Sequence, residues 1–317
     1  MNESVFDVVG PDGLTRRGLL HRARGVSRAA VLLLPSGLKF RAGSHLLNVR
    51  FARHLAELGY PCLRLDPLGV GESDGHLSAV KAEHLGSAIE SGLFVDDVLL
   101  GVSALRERLG VDQVVLLGLC GGAVTGVLAA ARAPDLVQGV VSMGLPVVPY
   151  APPATRPLPT ARVARRRVGN YVRKLVSTDA WARVLRGESD FRGISRTLRS
   201  ALTRSPSKPT SPQAAYLDDE NPMFIEGFRV LQAAKIPHLM IFGSSDNRWL
   251  EFENTFLLRE LRGAMSSDHY AIELVPQGSH EFHFEPSKVQ ATELLARWMS
   301  ERFHADLSAS EASHDAQ

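Results

Sequence analysis

The stretch Asp112-Gln113-Val114-Val115-Leu116-Leu117-Gly118-Leu119-Cys120-Gly121-Gly122-Ala123-Val124 constrains this chain more than any other. An unbroken apolar run reaches Gly118, and past Gly122 the text becomes Ala-Val-Thr-Gly-Val-Leu-Ala-Ala-Ala-Arg, small residues suited to a closely packed helix. The pattern predicts a buried strand, a sharp turn and a helix. Cys120 falls at the tip of the turn, with Gly two positions before it and two after. A side chain on either flank would collide with the neighbouring strand or helix as the backbone doubles back.

A thiol at such a tip projects above the carboxyl edge of a sheet, facing the free N–H groups and positive end of the following helix. That setting lowers a thiol pKa and favours the thiolate. The pentapeptide reads as the nucleophile-elbow pattern G-x-S-x-G with Cys in place of Ser. Two other readings stand beside it. A phosphate-cradling glycine turn would need G-x-G-x-x-G or G-K-[S/T], and neither occurs here. A buried structural Cys is the common fate of a lone cysteine.

The remaining elements follow from local pattern. Residues 4–9 and 14–20 alternate as strands about the turn Gly10-Pro11-Asp12-Gly13, predicting an opening antiparallel hairpin. Ala29–Leu34 is a strand buried on both faces and ends in Pro35-Ser36-Gly37. A helix is predicted over 44–58, closed by Gly59, and a strand over 61–66 runs into a glycine-rich loop, Pro67 to Gly75. A helix over 94–109 precedes the elbow. Strands at 137–143, 236–242 and 270–275 follow it, the last two each with a helical pattern behind them, at 249–262 and 287–303. Strand and helix alternate, so the fold class is α/β: a mostly parallel sheet flanked by helices. The core spans 1–145 and 233–303. Residues 304–317 are polar and small and read as a disordered tail. Cys62 lies in a buried strand and reads as structural.

Residues 146–232 interrupt the alternation. They open Pro-rich, then turn helical and basic: residues 151–210 hold 14 Lys and Arg against three Asp and Glu, a net of +11 in a chain whose total is +2. An insertion between core strands at the carboxyl end of a sheet reads as a helical lid over Cys120. Phe224, Phe228 and Trp181 are candidates for lining its pocket, with packing of the lid's own core as the other reading.

Two Cys cannot build a disulfide framework, and no C-x-x-C offers a zinc site. No metal or cofactor is expected. There is no signal-peptide pattern and no run of 18 apolar residues, so the expectation is a cytoplasmic protein without a membrane span.

In order and spacing, three motifs resemble the α/β-hydrolase superfamily: Gly118-Leu119-Cys120-Gly121-Gly122, the loop Asp66-Pro67-Leu68-Gly69-Val70-Gly71-Glu72-Ser73-Asp74-Gly75, and Gly278-Ser279-His280-Glu281-Phe282. A Cys at the elbow is similar to dienelactone hydrolases and polyhydroxyalkanoate synthases. The segments Arg41–Arg50 and Gly59–Asp66 look more like exosortase-associated hydrolases and their acyltransferase-like relatives. The resemblance implies a catalytic set of Cys120 as nucleophile, His280 as general base and Asp246 as the orienting acid. His283 competes for the base role. Asp246, in Phe242-Gly243-Ser244-Ser245-Asp246, is favoured as the acid because the preceding strand ends in Gly144-Leu145-Pro146 with no carboxylate. Asp66 and Asp74 read as loop-fixing residues. The implied oxyanion hole uses the backbone N–H groups of Gly121 and Leu38.

Such a set performs acyl transfer through an acyl-enzyme. Forming an acyl thioester from an unstrained ester or amide is uphill, whereas exchange with another thioester is nearly neutral, so thioesters or activated esters and lactones are the expected donors. The basic segment suits an anionic donor, coenzyme A or an acyl-carrier protein, or else is a solvated Arg-rich surface. Nucleic acid is disfavoured because the run lacks interleaved aromatics. Three readings stand: a thioesterase or acyltransferase, a hydrolase of activated esters or lactones, and a non-catalytic hydrolase-fold binding protein.

Overall fold

Every residue of the strand Ala29–Leu34 is apolar and buried. Its side chains alternate between two cores: Ala30, Leu32 and Leu34 enter one, Ala29, Val31 and Leu33 the other. The elbow strand divides in the same way, with Val114 and Leu116 opposite Val115, Leu117 and Leu119. Strands apolar on both faces need a layer of helices on each side.

A computed structural model supplies those layers; it describes residues 3–23, 25–27, 29–77, 84–147, 221–254, 268–303 and 305–306. In chain order the elements are β1 (Glu3–Val5), β2 (Val8–Val9), β3 (Thr15–Arg16), β4 (Gly18–His21), β5 (Val26–Ser27), β6 (Ala29–Leu34), a 3-10 turn at Ser44–Leu46 and α1 (Leu47–Glu57). Next come β7 (Cys62–Leu65), α2 (Leu85–Glu90), α3 (Val95–Leu109), β8 (Gln113–Leu119), α4 (Gly121–Arg132) and β9 (Gly139–Met143). After the insertion follow α5 (Pro222–Ala233), β10 (His238–Gly243), α6 (Asn247–Asn254), β11 (Tyr270–Val275), α7 (Glu285–Arg302) and β12 (Ala305–Asp306).

Among the described residues the main sheet has eight strands, in the order β1-β4-β7-β6-β8-β9-β10-β11. From β7 through to β11 all neighbours are parallel, while β4 joins β7, and β1 joins β4, antiparallel. The opening hairpin forms as β1 with β4 and β2 with β3, turned by Gly13 N–H donating to the Gly10 carbonyl at 3.0 Å. Helices α3, α4 and α5 cover one face; α1 and α7 cover the other. The chain leaves β6 for β7 on one side and returns to β8 on the other. The loop after β6 and the turn after β8 therefore meet at a switch point on the carboxyl edge, where open α/β sheets place their ligands.

Two boundaries differ from the sequence expectation. Residues 222–232, assigned to the insertion, form most of α5, which packs on α4 with Phe224, Phe228 and Leu231 in the core. The apolar spacing of three and four residues makes this a core-facing helix, and Asn221 caps it by accepting from Met223 N–H at 3.1 Å. Phe224 and Phe228 are thus core residues of the α/β layer, while Trp181 and the basic stretch 151–210 lie outside the described residues. Within 304–317, expected to be a disordered tail, Ala305–Asp306 form a strand that pairs antiparallel with β5. Buried Phe303, packed on Trp298 at 5.5 Å and accepting a hydrogen bond at its carbonyl from Tyr60 Oη, holds that segment to the core.

Phe228 packs tilted against Phe224 at 4.8 Å and stacks on Tyr270 at 6.0 Å with its side chain fully buried. Phe228→Ala is expected to cost about 3–5 kcal/mol, measured as a lower urea midpoint at unchanged slope.

Candidate active site

The elbow is built as a strained turn. Cys120 has φ 56° and ψ −119°, a positive φ unusual for a residue with a side chain. A Cβ on Gly118 would lie 2.3 Å from the Gly122 carbonyl, and one on Gly122 would lie 2.6 Å from the Pro35 carbonyl oxygen. Only glycine fits at either place. The turn is pinned by Cys120 N–H donating to the Met143 carbonyl at 2.9 Å, and the Cys120 carbonyl accepts from Ala123 N–H at 2.9 Å.

Two further carboxyl-edge loops converge on this turn. Asp246 follows β10 and is 5% exposed; His280 follows β11. The His280 Nδ1 and Asp246 Oδ2 are 2.8 Å apart, and the imidazole is also hydrogen-bonded to Cys120. The loops touch through glycines: a Cβ on Gly243 would sit 2.2 Å from the Gly278 carbonyl oxygen. Gly144, at the end of β9 with φ 51°, leaves room for the imidazole itself, since a Cβ there would lie 2.9 Å from His280 Nδ1. The competing His283 makes a 3.2 Å contact from Nδ1 to Ser279 Oγ and packs on Phe284 at 3.9 Å, in an exposed position.

On the opposite side, Lys39 N–H donates to the Ser36 carbonyl at 3.2 Å and closes a turn that contains Gly37 and Leu38. The Gly37 backbone lies 3.3 Å from where a Cβ of Gly121 would stand, so this turn covers the start of α4. The Leu38 side chain is exposed. Asp66 is fully buried and accepts from Arg41 N–H at 2.6 Å and Arg41 Nη1 at 2.5 Å. Asp74 accepts from Thr15 N–H at 2.8 Å. Both carboxylates tie loops and stand apart from the imidazole.

Comparison with known proteins agrees with this fold. A family model of the alpha/beta hydrolase fold matches residues 29–281. The chain belongs to the α/β-hydrolase fold family. Among solved structures it is similar to a dienelactone hydrolase from Anabaena variabilis, at 18% identity and a TM-score of 0.57 over 96% of this chain and 99% of that one. An esterase from Pyrococcus furiosus is similar at 13% identity and a TM-score of 0.55, over 95% of this chain and 91% of that one. A serine hydrolase without a lid from Xanthomonas campestris matches at 16% identity and 0.51, over 96% and 97%. Comparison with curated proteins finds no match. Among the described residues of this α/β-hydrolase chain, no helix is long and apolar enough to cross a membrane and no cluster of ligands suits a metal ion.

The electrostatics of the hydrolase-fold site favour a charged pair. Burial pushes the Cys120 thiol up, but the hydrogen bond and positive charge of His280, the charge of Arg248 and the Gly121 N–H outweigh it, leaving the thiol below its ordinary value. Burial likewise pushes His280 down, while its hydrogen bonds to Asp246 and Cys120 carry it up to about 10. The two shifts have opposite sign and both favour the charged pair, imidazolium opposite thiolate, over the neutral one. Arg248 was not legible as a site residue. Its backbone N–H donates to Asp246 Oδ1 at 2.9 Å and its guanidinium pairs with Glu251 at 2.7 Å. Nothing in its sequence neighbourhood separates it from other arginines. Cys62 is fully buried in β7 with its thiol pushed far up by burial, an inert position.

An ordinary thiol, with a pKa near about 8.5, loses about tenfold in alkylation rate for each pH unit below that value. Cys120 is expected to react with iodoacetamide faster at pH 7 than an ordinary thiol, because its depressed pKa leaves more thiolate at that pH and His280 stays protonated up to about 10. His280→Ala should slow the reaction at pH 7 by about tenfold or more. Gly144→Ala should do the same by displacing the ring, and both are read by mass spectrometry of timed samples.

Proposed function

We propose that this chain hydrolyses activated acyl compounds, accepting the acyl group on Cys120 and releasing it to water. The observation that carries this reading is the placement of three groups together: Asp246 Oδ2 stands 2.8 Å from His280 Nδ1, and the imidazole interacts with a thiol held at the N-terminus of α4. Asp246 orients the imidazole and stabilises its positive charge. The Cys120 thiolate attacks the acyl carbon, and the negative charge moves to the carbonyl oxygen, which is met by the Gly121 N–H with Leu38 N–H as second donor. Collapse expels the leaving group, which takes the proton from His280 as the carbon–sulfur bond is kept. Neutral His280 then draws a proton from water, whose oxygen attacks the thioester. The carboxylic acid leaves, and thiolate and imidazolium are restored.

The nucleophile narrows the donor. A thioester intermediate lacks the resonance of an ordinary ester, so the acylation step needs a good leaving group: an enol lactone, an activated ester or a thioester. The similarity to a dienelactone hydrolase and an esterase supports hydrolysis as the outcome. A second reading, transfer of the acyl group from coenzyme A or a carrier protein to an amine, alcohol or thiol, is supported by the +11 segment 151–210, whose charge suits an anionic donor.

Incubation with activated esters, lactones and acyl thioesters, followed by intact mass, is expected to give an acyl adduct that Cys120→Ala lacks and that decays in buffer with release of carboxylate. His280→Ala is expected to slow turnover by about 10²–10⁴-fold. An adduct that persists until an amine, alcohol or thiol is added favours transfer. No adduct from any donor returns the chain to a binding role.

A further inference from the structure

Glu281 follows His280 directly and points across the mouth of the site. Its Oε1 accepts from Lys39 Nζ and from Ser44 Oγ at 3.2 Å, and its Oε2 lies 3.5 Å from His45 Nε2. Lys39 Nζ also donates to Ser44 Oγ at 2.6 Å, so three side chains of the segment after β6 gather on one carboxylate of the loop after β11. A parallel contact runs beside it, His45 to His283 at 5.7 Å between ring centres. The hydrogen bond from Lys39 holds the Glu281 carboxyl below the usual range, so it is ionised at neutral pH.

The segment it reaches is the one that carries Leu38. Lys39 closes the turn Ser36–Lys39, and that turn bends at Gly37, with φ 64°, a residue whose backbone imposes little preference of its own. Asp66 anchors the far end of the same segment through Arg41. The near end, beside Cys120, is anchored by Lys39.

We infer that Glu281 is a positioning residue for the acyl-transfer step: through Lys39 it fixes the turn bearing the second oxyanion donor to the loop bearing the base, so that both face Cys120 together. The inference rests on the reading of Cys120 as an acyl acceptor. An oxyanion donor is effective only within about 2.7–3.1 Å of the developing charge, so a turn free to drift loses catalysis while leaving the thiolate untouched. The side chains of Lys39 and Glu281 are 46% and 36% exposed, and an exposed pair adds little to stability. Its removal therefore leaves the fold intact and acts on geometry.

The test compares two reactions of the same sulfur in the full-length protein. Acylation by an activated ester uses the oxyanion site; alkylation by iodoacetamide does not. Lys39→Met and Glu281→Gln are expected to slow single-turnover acylation by about three- to fivefold, with alkylation rate and its pH profile unchanged. The exchanged pair Lys39→Glu with Glu281→Lys is expected to recover part of the acylation rate. Acylation within twofold of wild type in both single variants overturns the inference. Alkylation that falls in step with acylation also overturns it, because Glu281 would then act on the thiolate or its base. Absence of an adduct in the wild-type protein sinks the acyl-acceptor reading itself and the inference with it, an outcome distinct from failure in the variants alone.

Discussion

The whole site depends on one backbone conformation. Cys120 is held at φ 56° between a strand and a helix that leave no room for a Cβ at Gly118 or Gly122. A side-chain residue in that region costs about 1–3 kcal/mol and persists only where its surroundings over-determine it. Here the determinants are the parallel partners of β8 on both sides, the hydrogen bond from Cys120 N–H to Met143, and α4 packed against the sheet through residues such as Val124 and Val127. The strain places the sulfur at the first free N–H groups of the helix instead of inside the core. Burial of β8 on both faces offsets the cost.

Close approach then repeats around the nucleophile. The Asp246 and His280 loops meet through Gly243 and Gly278, and the imidazole stands over Gly144. Each contact removes a side chain so that a functional group can come nearer. The result is a pair of opposing pKa shifts: His280 is carried up to about 10 and Cys120 down, against the burial that works on both. Pairing wins because each charge has its partner within hydrogen-bonding reach and Asp246 behind it. A lone thiol in the same fold, Cys62, has no such partner and is pushed far up.

On the function proposed above, the sulfur is only half of an acyl site, and the other half is where the oxyanion would form. That side is a glycine-bent turn, held from beneath by a fully buried carboxylate, Asp66, and across the mouth by Glu281 through Lys39. The two anchors differ in kind. The first is buried and structural, the second exposed and weak in energy, yet it joins the loop after β6 to the loop that carries His280.

The α/β class and the glycine-flanked turn at Cys120 were legible because those signals are local, unbroken apolar runs and glycines where the chain doubles back, whereas Asp246 and His280 came as what the resemblance to the α/β-hydrolase superfamily implies, with His283 as competitor. The sequence by itself also misled over two stretches. Residues 222–232 looked like part of a basic insertion because charge and proline dominate the text before them, and Ala305–Asp306 looked like a polar tail; α5 packing on α4 and the strand pair with β5 are long-range contacts that no local window contains. For the same reason only the tertiary structure tells His280 from His283, three residues apart, by pairing one with Asp246 and the other with Ser279. It alone set Arg248 within electrostatic reach of Cys120, Gly144 beneath the His280 ring and Glu281 against Lys39, contacts between residues far apart in the chain.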